Sequence, residues 1–441
     1  MIHSVVPQLS FSFYSPKPVR GDFSGGQISS DVGLLPLRAF DQRRGYTAQL
    51  AACLRDPRDA QRIEHSRLEL LRYRLYAVVA GYEDCNDVQR LRHDPVFRLL
   101  TDRDWEQTLG SQPTLSRWEN AITGRELVAM NDFLLQSFVS SYRAQVKQRG
   151  EILLDLDSTD DPTHGHQQLS LFNGHYRHTV YHPLLLWERH SGALLSARLR
   201  RGDCVSYNRA VPFLRRVLQR LCTTFPGIPI RFRADAGFAV PQLYDLLEEF
   251  GVDYAIRFQS HQFLRQRLAR LEQRIQQRYQ HSGQPQSFFT STWHQAKVWS
   301  RSRRLCVELR CPAEKLPVRF IITNLDWSPA QVCAFYKGRA QCENRIDELK
   351  NGFAADRLSC HRFLANAFRL LLHSAAYNLI NAFRHRLPKA LRSLEIASLR
   401  LHLFKLGARV RRTARRIWVH FASGWPFQSA FLQAARRFSS A

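Results

Sequence analysis

Apolar residues recur at three- and four-residue intervals from about Asp31 to Val146, as in ELLRYRLYAVVAGYED and ELVAMNDFLLQSFVSSYRAQV. That spacing predicts a helical N-terminal domain over 1–150. Residues 1–24, rich in Pro, Ser and Phe, read as an irregular arm. Within the helical part, DWEQTLGSQPTLSRWENA predicts helix, a turn at Gly110, and a second helix from about Thr114. Ser116, Arg117 and Asn120 lie on its polar side, so the pair resembles a helix-turn-helix that presents Arg117 to DNA.

The period changes at Glu151. ILLDLDST is an apolar strand ending in acids, with Asp155 and Asp157 on one face by alternation. TVYHPLLLWE (179–188) and ALLSARLR (193–200) predict two more strands. A helix over about 208–223 follows, then a strand at 229–235, a helix at 240–251 closed by Gly251, and a strand at 253–258. The order β-β-β-α-β-α-β implies an α/β core: a mixed sheet with helices on its faces. The rhythm breaks over 259–324, where a basic helix precedes strands at WHQAKVWS, RLCVELR and VRFIITN; this segment predicts a mainly β insertion. The core is expected to resume over 325–386 and end in a long helix, about 362–386, with Leu364, Phe368, Leu371, Ala375 and Leu379 inward. Residues 387–441 form a basic C-terminal region.

Charge sharpens the picture. The chain has 64 Lys and Arg against 38 Asp and Glu, a net +26 over 441 residues. An excess of that size repels itself unless a polyanion neutralises it. It is also concentrated: residues 259–304 carry nine Lys or Arg against Glu272 alone, and residues 384–441 carry thirteen against Glu395 alone. Arg pairs in that tail alternate with Trp418, Phe421 and Trp425, a composition suited to packing as well as to phosphate. No apolar run reaches the ~18 residues of a membrane span. The N-terminus has no charged-then-apolar leader, and nine cysteines without a paired framework predict free thiols in a reducing cytoplasm.

The stretch YKGRAQCENRIDELK, Tyr336 to Lys350, predicts a helix on which Tyr336, Arg339, Glu343 and Lys350 project at about 0°, 300°, 340° and 320°. Charges flanking a Glu are common on solvated helices, so the stripe gains meaning only from other acids that Glu343 can meet. Asp157 ends the first core strand and Asp235 the fourth, at the strand ends where open α/β sheets collect ligands. Taken singly, each reads as a turn or cap residue. Clustered carboxylates repel one another, and a pair of Mg²⁺ ions resolves that conflict while activating phosphodiester displacement. The His residues in HGH (164–166) and GHYRH (174–178) suggest zinc, but Cys306 and Cys311 fall on opposite strand faces and no second pair completes a site. No Gly-rich phosphate loop or nucleophile triad is present, so neither a nucleotide cofactor nor a covalent Ser or Cys intermediate is expected.

The spacing Y-(2)-R-(3)-E-(6)-K, met by Tyr336, Arg339, Glu343 and Lys350, resembles the signature of bacterial insertion-sequence DDE transposases. LDLDSTDDPTHGHQ, RADAGFA and SQPTLSRWEN are similar to the insertion-sequence group numbered thirteen-eighty, and the resemblance runs to about residue 385. It implies a ribonuclease-H-like core over 151–258 and 325–386, with Asp157, Asp235 and Glu343 as ligands of two Mg²⁺ (or Mn²⁺) ions. Asp155, Asp160 and Asp161 compete with Asp157 for the first position. Tyr336, Arg339 and Lys350 would contact DNA beside the scissile phosphate, and Trp293 or Trp299 would stack a flipped base if a hairpin end forms. The implied function is cut-and-paste transposition, with a homodimer holding two inverted-repeat ends in a cytoplasmic, nucleoid-associated setting. The rivals are a nuclease on the same core that does not join ends, and a DNA-binding regulator that has lost catalysis.

Overall fold

The segment ILLDLDS places apolar side chains on both faces, as a strand covered from both sides must. In the computed structural model it is β1, Ile152–Ser158, at the heart of an eight-stranded sheet. The other strands are β2 (Leu184–Glu188), β3 (Leu194–Arg198), β4 (Ile230–Ala234), β5 (Asp253–Phe258), β6 (Gln286–His294), β7 (Arg303–Cys311) and β8 (Val318–Thr323). Their order is β6-β7-β8-β5-β4-β1-β2-β3. β4 runs parallel to both β1 and β5, and the remaining neighbours are antiparallel. The structure describes residues 8–13, 16–56, 58–259, 262–312 and 318–438.

The helices that matter here are α1 (Gly124–Arg149), α2 (Ala210–Thr224), α3 (Pro241–Glu249), α4 (Gln262–Ser282), α5 (Pro329–Lys337), α6 (Ala340–Asp347) and α7 (Phe363–Arg384). Phe138, Val139 and Tyr142 of α1 join Leu214, Leu218 and Leu221 of α2, and Leu243 and Leu247 of α3, in one core with the strand residues Leu154, Leu156, Phe232 and Ile256. Removing any of these large side chains costs about 2–5 kcal/mol.

Three local predictions need correction. TVYHPLLLWE is two strands in different sheets, His178–Tyr181 and β2, because Pro183 has no N–H to continue a ladder. WHQAKVWS is not a strand: β6 ends at His294, and a turn carries Trp299 inward, where its ring lies 5.6 Å from Tyr244 and 5.8 Å from Phe258. The strands within 259–324 join the central sheet, with β8 pairing with β5. Tyr336–Lys350 is not one helix. Arg233 donates to the Phe335 carbonyl at 2.7 Å, the acceptor a continuing helix would offer to Arg339, and the Arg339 N–H bonds Tyr336 O instead. α5 therefore stops at Lys337, α6 starts afresh at Ala340, and Lys350 falls in a wide turn, Glu348–Gly352.

The chain divides into two compact units, 122–378 and 1–121 with 379–441. The boundaries differ from the expected 150 and 386. The second unit contains the helices before residue 122 and the tail. Phe383 and Phe438 pack on Phe40 with ring centroids 5.5 Å away in each case, so the tail does help build a core. Gly33 is required there, since a Cβ would lie 1.8 Å from Leu403 O. Residues 9–11 and 19–21 pair as strands where an irregular arm was expected. Of the helix-turn-helix, only the second helix forms: Gln112–Asn120, with Arg117 exposed, follows a non-helical 104–110.

Candidate active site

β1 and β4 run side by side in register, with Leu156 opposite Ala234. One step further along both strands come Asp157 and Asp235, so two acids leave adjacent parallel strands at the same level, about 4.8 Å apart in backbone. The Asp157 carboxylate is buried; Oδ1 accepts from Ser158 N at 2.9 Å and Oδ2 from Arg339 Nη2 at 2.5 Å. Asp235 caps the turn Ala236–Phe238 by accepting from Gly237 N at 2.9 Å through one oxygen. Glu343 stands in the first turn of α6 with its side chain 64 % exposed, and Arg339 Nη1 reaches it at 3.4 Å. One guanidinium thus bridges the first and third acids.

Electrostatics tie the group together. Burial pushes the Asp157 carboxyl up to about 7; Arg339 opposes the rise, while Asp235 and Glu343 add to it. Burial works against the charge of Arg339, but Asp157, Tyr336 and Asp235 hold it above the ordinary arginine value. Tyr336 is buried among Ala255, Ile321 and Val332 beneath the site, and its phenol is pushed up by burial, with Asp235 among the charges it feels. Of the sequence-predicted residues, Arg339 therefore touches both Asp157 and Glu343, while Asp235 and Tyr336 act on them through charge.

Two of the three competing acids have other partners. Asp155 is sealed below, both oxygens bound to Arg233 at 2.7 and 2.8 Å. The same Arg233 forces glycine at 338, where a Cβ would come within 2.6 Å of its Nη1. The Asp155–Arg233 pair thus fixes the α5–α6 junction, and with it Glu343. Lys350 Nζ bonds Asp160 at 3.0 Å and Thr159 Oγ1 at 3.4 Å. Burial raises the Asp160 carboxyl, but hydrogen bonds from Lys350 and His178 prevail and hold it below its usual value. Among the described residues the buried Asp161 carboxyl has no hydrogen-bond partner; burial and nearby Asp356 push it well up.

Two predicted stacking residues part company. Trp293 on β6 is 67 % exposed, whereas Trp299 is only 6 % exposed. Trp299 is a core residue and has no free face to offer a base. Arg117 belongs to the other compact unit. Sequence reading missed Tyr176, which lies edge-on to His182 at 5.5 Å. Its phenol is pushed up to about 12, first by burial and then by Asp160, Asp157 and Asp235. It sits in the GHYRH run, where the histidines attracted notice and the tyrosine did not.

A family described as Transposase DDE domain group 1 matches residues 11–441. The chain belongs to that family. No curated protein matches this transposase-family chain. A solved structure titled as the cryo-EM structure of the piggyBac transposase synaptic complex with hairpin DNA is similar at 12 % identity and a TM-score of 0.42, covering 85 % of this chain and 80 % of that one. Among the described residues no helix is long and apolar enough to cross a membrane.

DDE transposases use divalent metal ions, and the donor set can be tested for fit. Among the described residues, no three His, Cys, Asp or Glu side chains already close on one point, and Arg339 supplies the counter-charge between Asp157 and Glu343. The chemistry nonetheless suits a hard cation: carboxylate oxygens from three separate elements, one buried and raised partly because its neighbours share its sign.

Proposed function

We propose that this chain is a DNA transposase of the insertion-sequence kind that cuts and joins DNA at Asp157, Asp235 and Glu343. The observation that carries the reading is the register of β1 and β4. It delivers Asp157 and Asp235 side by side, while Arg339 holds the Glu343 helix against them. The strand order β5-β4-β1-β2-β3, with β2 alone antiparallel to its neighbours, supports a ribonuclease-H-like core.

The three acids would hold two Mg²⁺ ions, which would supply Lewis acidity at the scissile phosphate. Arg339, paired with both Asp157 and Glu343, offsets the repulsion between the acids and would turn a guanidinium N–H to a phosphate oxygen of bound DNA. Lys350, held beside the site by Asp160, exchanges that carboxylate for the DNA backbone. Tyr336 contributes from below by fixing the start of the α5–α6 junction, and the phenol of Tyr176 offers a proton donor within electrostatic reach of Asp157 and Asp235. The substrates are the element's inverted-repeat ends and a target duplex, held by a homodimer that pairs two ends. Arg117, exposed Trp293, the arginine-rich α4 and the tail supply further DNA contacts.

The test is metal-dependent cleavage of DNA bearing the element ends, by wild type and by Asp235→Ala and Glu343→Ala. Loss in both variants is expected; equal activity in all three removes the assignment. Supplying pre-cut ends with a plasmid target then separates a transposase, which yields joined product, from a nuclease.

A further inference from the structure

The tail contains a feature that the acid cluster does not use. Ala408–Arg412 and Ile417–Phe421 form an antiparallel hairpin, closed by Thr413 N donating to Arg416 O at 2.8 Å. Its first strand also pairs with Ile28–Ser29, leaving Ile417–Phe421 as one edge of a three-stranded sheet. Alternation gives the ribbon two unlike faces. Ala408, Val410 and Val419 turn inward, and Phe421 packs on Phe431 with ring centroids 5.1 Å apart. Arg409 and His420 form one cross-strand pair on the opposite face, Arg411 and Trp418 the next. All four are exposed, Trp418 by 48 %.

The charge on this ribbon is unbalanced. Arg409, Arg411, Arg412, Arg415 and Arg416 lie within fourteen residues that contain no acid. Among the described residues only Arg412 of these five reaches a carboxylate, Glu106 at 3.1 Å, and Glu106 is itself 80 % exposed. Arg409, Arg411, Arg415 and Arg416 have no ion-pair partner among the described residues. Five guanidiniums held this close repel one another until a polyanion arrives. The rings add a second requirement. Trp418 and His420 lie nearly parallel, 11° between planes with centroids 6.1 Å apart, and both are open to solvent. A ligand that touched only phosphates would leave those faces wet. Flat bases would cover them, and in a duplex the base faces are already stacked on one another.

We propose that the hairpin 408–421 is a binding site for unpaired DNA: bases stack on Trp418 and His420 while Arg409, Arg411 and the Arg415–Arg416 tip take the phosphates. The proposal rests on the DNA reading above and extends it to a second substrate form, a strand with exposed bases. It does not depend on the acids being catalytic.

The experiment uses the full chain and a labelled oligonucleotide, measured by fluorescence anisotropy at one fixed salt concentration, as a single strand and as its duplex. Trp418→Ala is expected to weaken single-strand binding about tenfold or more, within the span of one base–aromatic stack, and duplex binding by less than about twofold. Trp418→Phe, which keeps a stacking face, should restore most of the loss. Thermal melting checks that each variant folds, and light scattering reports its oligomeric state. Equal losses for single strand and duplex would show that the hairpin is only a charged patch and overturn the proposal. Unchanged binding overturns it too, and so does a change in oligomeric state without a change in strand affinity. If hairpin variants bind normally while Glu343→Ala abolishes cleavage, this inference fails and the catalytic reading stands. The reverse pattern separates them the other way.

Discussion

Adding a divalent ion should stabilise this protein against heat, and the effect should depend on pH in a direction the site dictates. Asp157 is raised from 3.8 to about 7, first by burial and then, against Arg339, by Asp235 and Glu343. A raised carboxyl costs nothing below its unfolded value, because both states are then protonated. Between about 4 and 7 the unfolded chain releases the proton while the folded chain keeps it, so stability falls as pH rises. Above about 7 the full gap applies, roughly 4 kcal/mol. A cation bound at Asp157 offsets this cost, because it favours the charged carboxylate. Ion at a hundred times its dissociation constant supplies about 2.7 kcal/mol by mass action, or about 5–10 °C in a domain of this size. The assay is thermal unfolding with and without Mg²⁺, and with Ca²⁺ as a second probe, at pH 6 and pH 8. Wild type should gain more at pH 8 than at pH 6, and Asp157→Asn with Asp235→Asn should lose most of the gain. An identical ion effect in the double variant, or a larger one at pH 6, would refute the reasoning.

Arg233→Ala leaves Asp155 buried and unpaired beneath the α5–α6 junction, so it should cost about 3–5 kcal/mol in chemical denaturation; a cost under 1 kcal/mol would show that the pair does not hold the junction. Trp299→Ala should cost about 3–5 kcal/mol as a core deletion, whereas Trp293→Ala should leave stability within about 0.5 kcal/mol; denaturant midpoints distinguish them. Lys350→Ala removes one phosphate contact, so the slope of log affinity against log salt should shrink by about 0.9. An unchanged slope would leave Lys350 as a partner of Asp160 only.

Much of the core was legible because its elements have strong periods. The strand at 253–258 was read with its exact limits, and α2 and α3 within two residues, since each apolar face packs on the sheet it was inferred to cover. Errors arose where one distant side chain decided a local matter. The sequence at 336–350 has every propensity for one helix, and what divides it is Arg233, a hundred residues earlier, bonding the Phe335 carbonyl. Trp293 and Trp299 are equally aromatic in sequence, and only the turn at Ala296 determines which one faces inward. The acids at 157 and 235 could be paired by strand logic alone, but choosing Asp157 over Asp155 required seeing that Arg233 occupies both oxygens of Asp155. Tyr176 had no periodic context at all, because its place among the acids comes from a loop.

Whether Asp157, Asp235 and Glu343 share metal ions can be seen by anomalous diffraction from crystals soaked in Mn²⁺. Two peaks ligated by these three carboxylates, with Arg339 displaced from at least one of them, are the predicted result. Manganese bound instead at Asp160, Asp161 and Asp356, or nowhere near Asp157 and Asp235, would contradict the account.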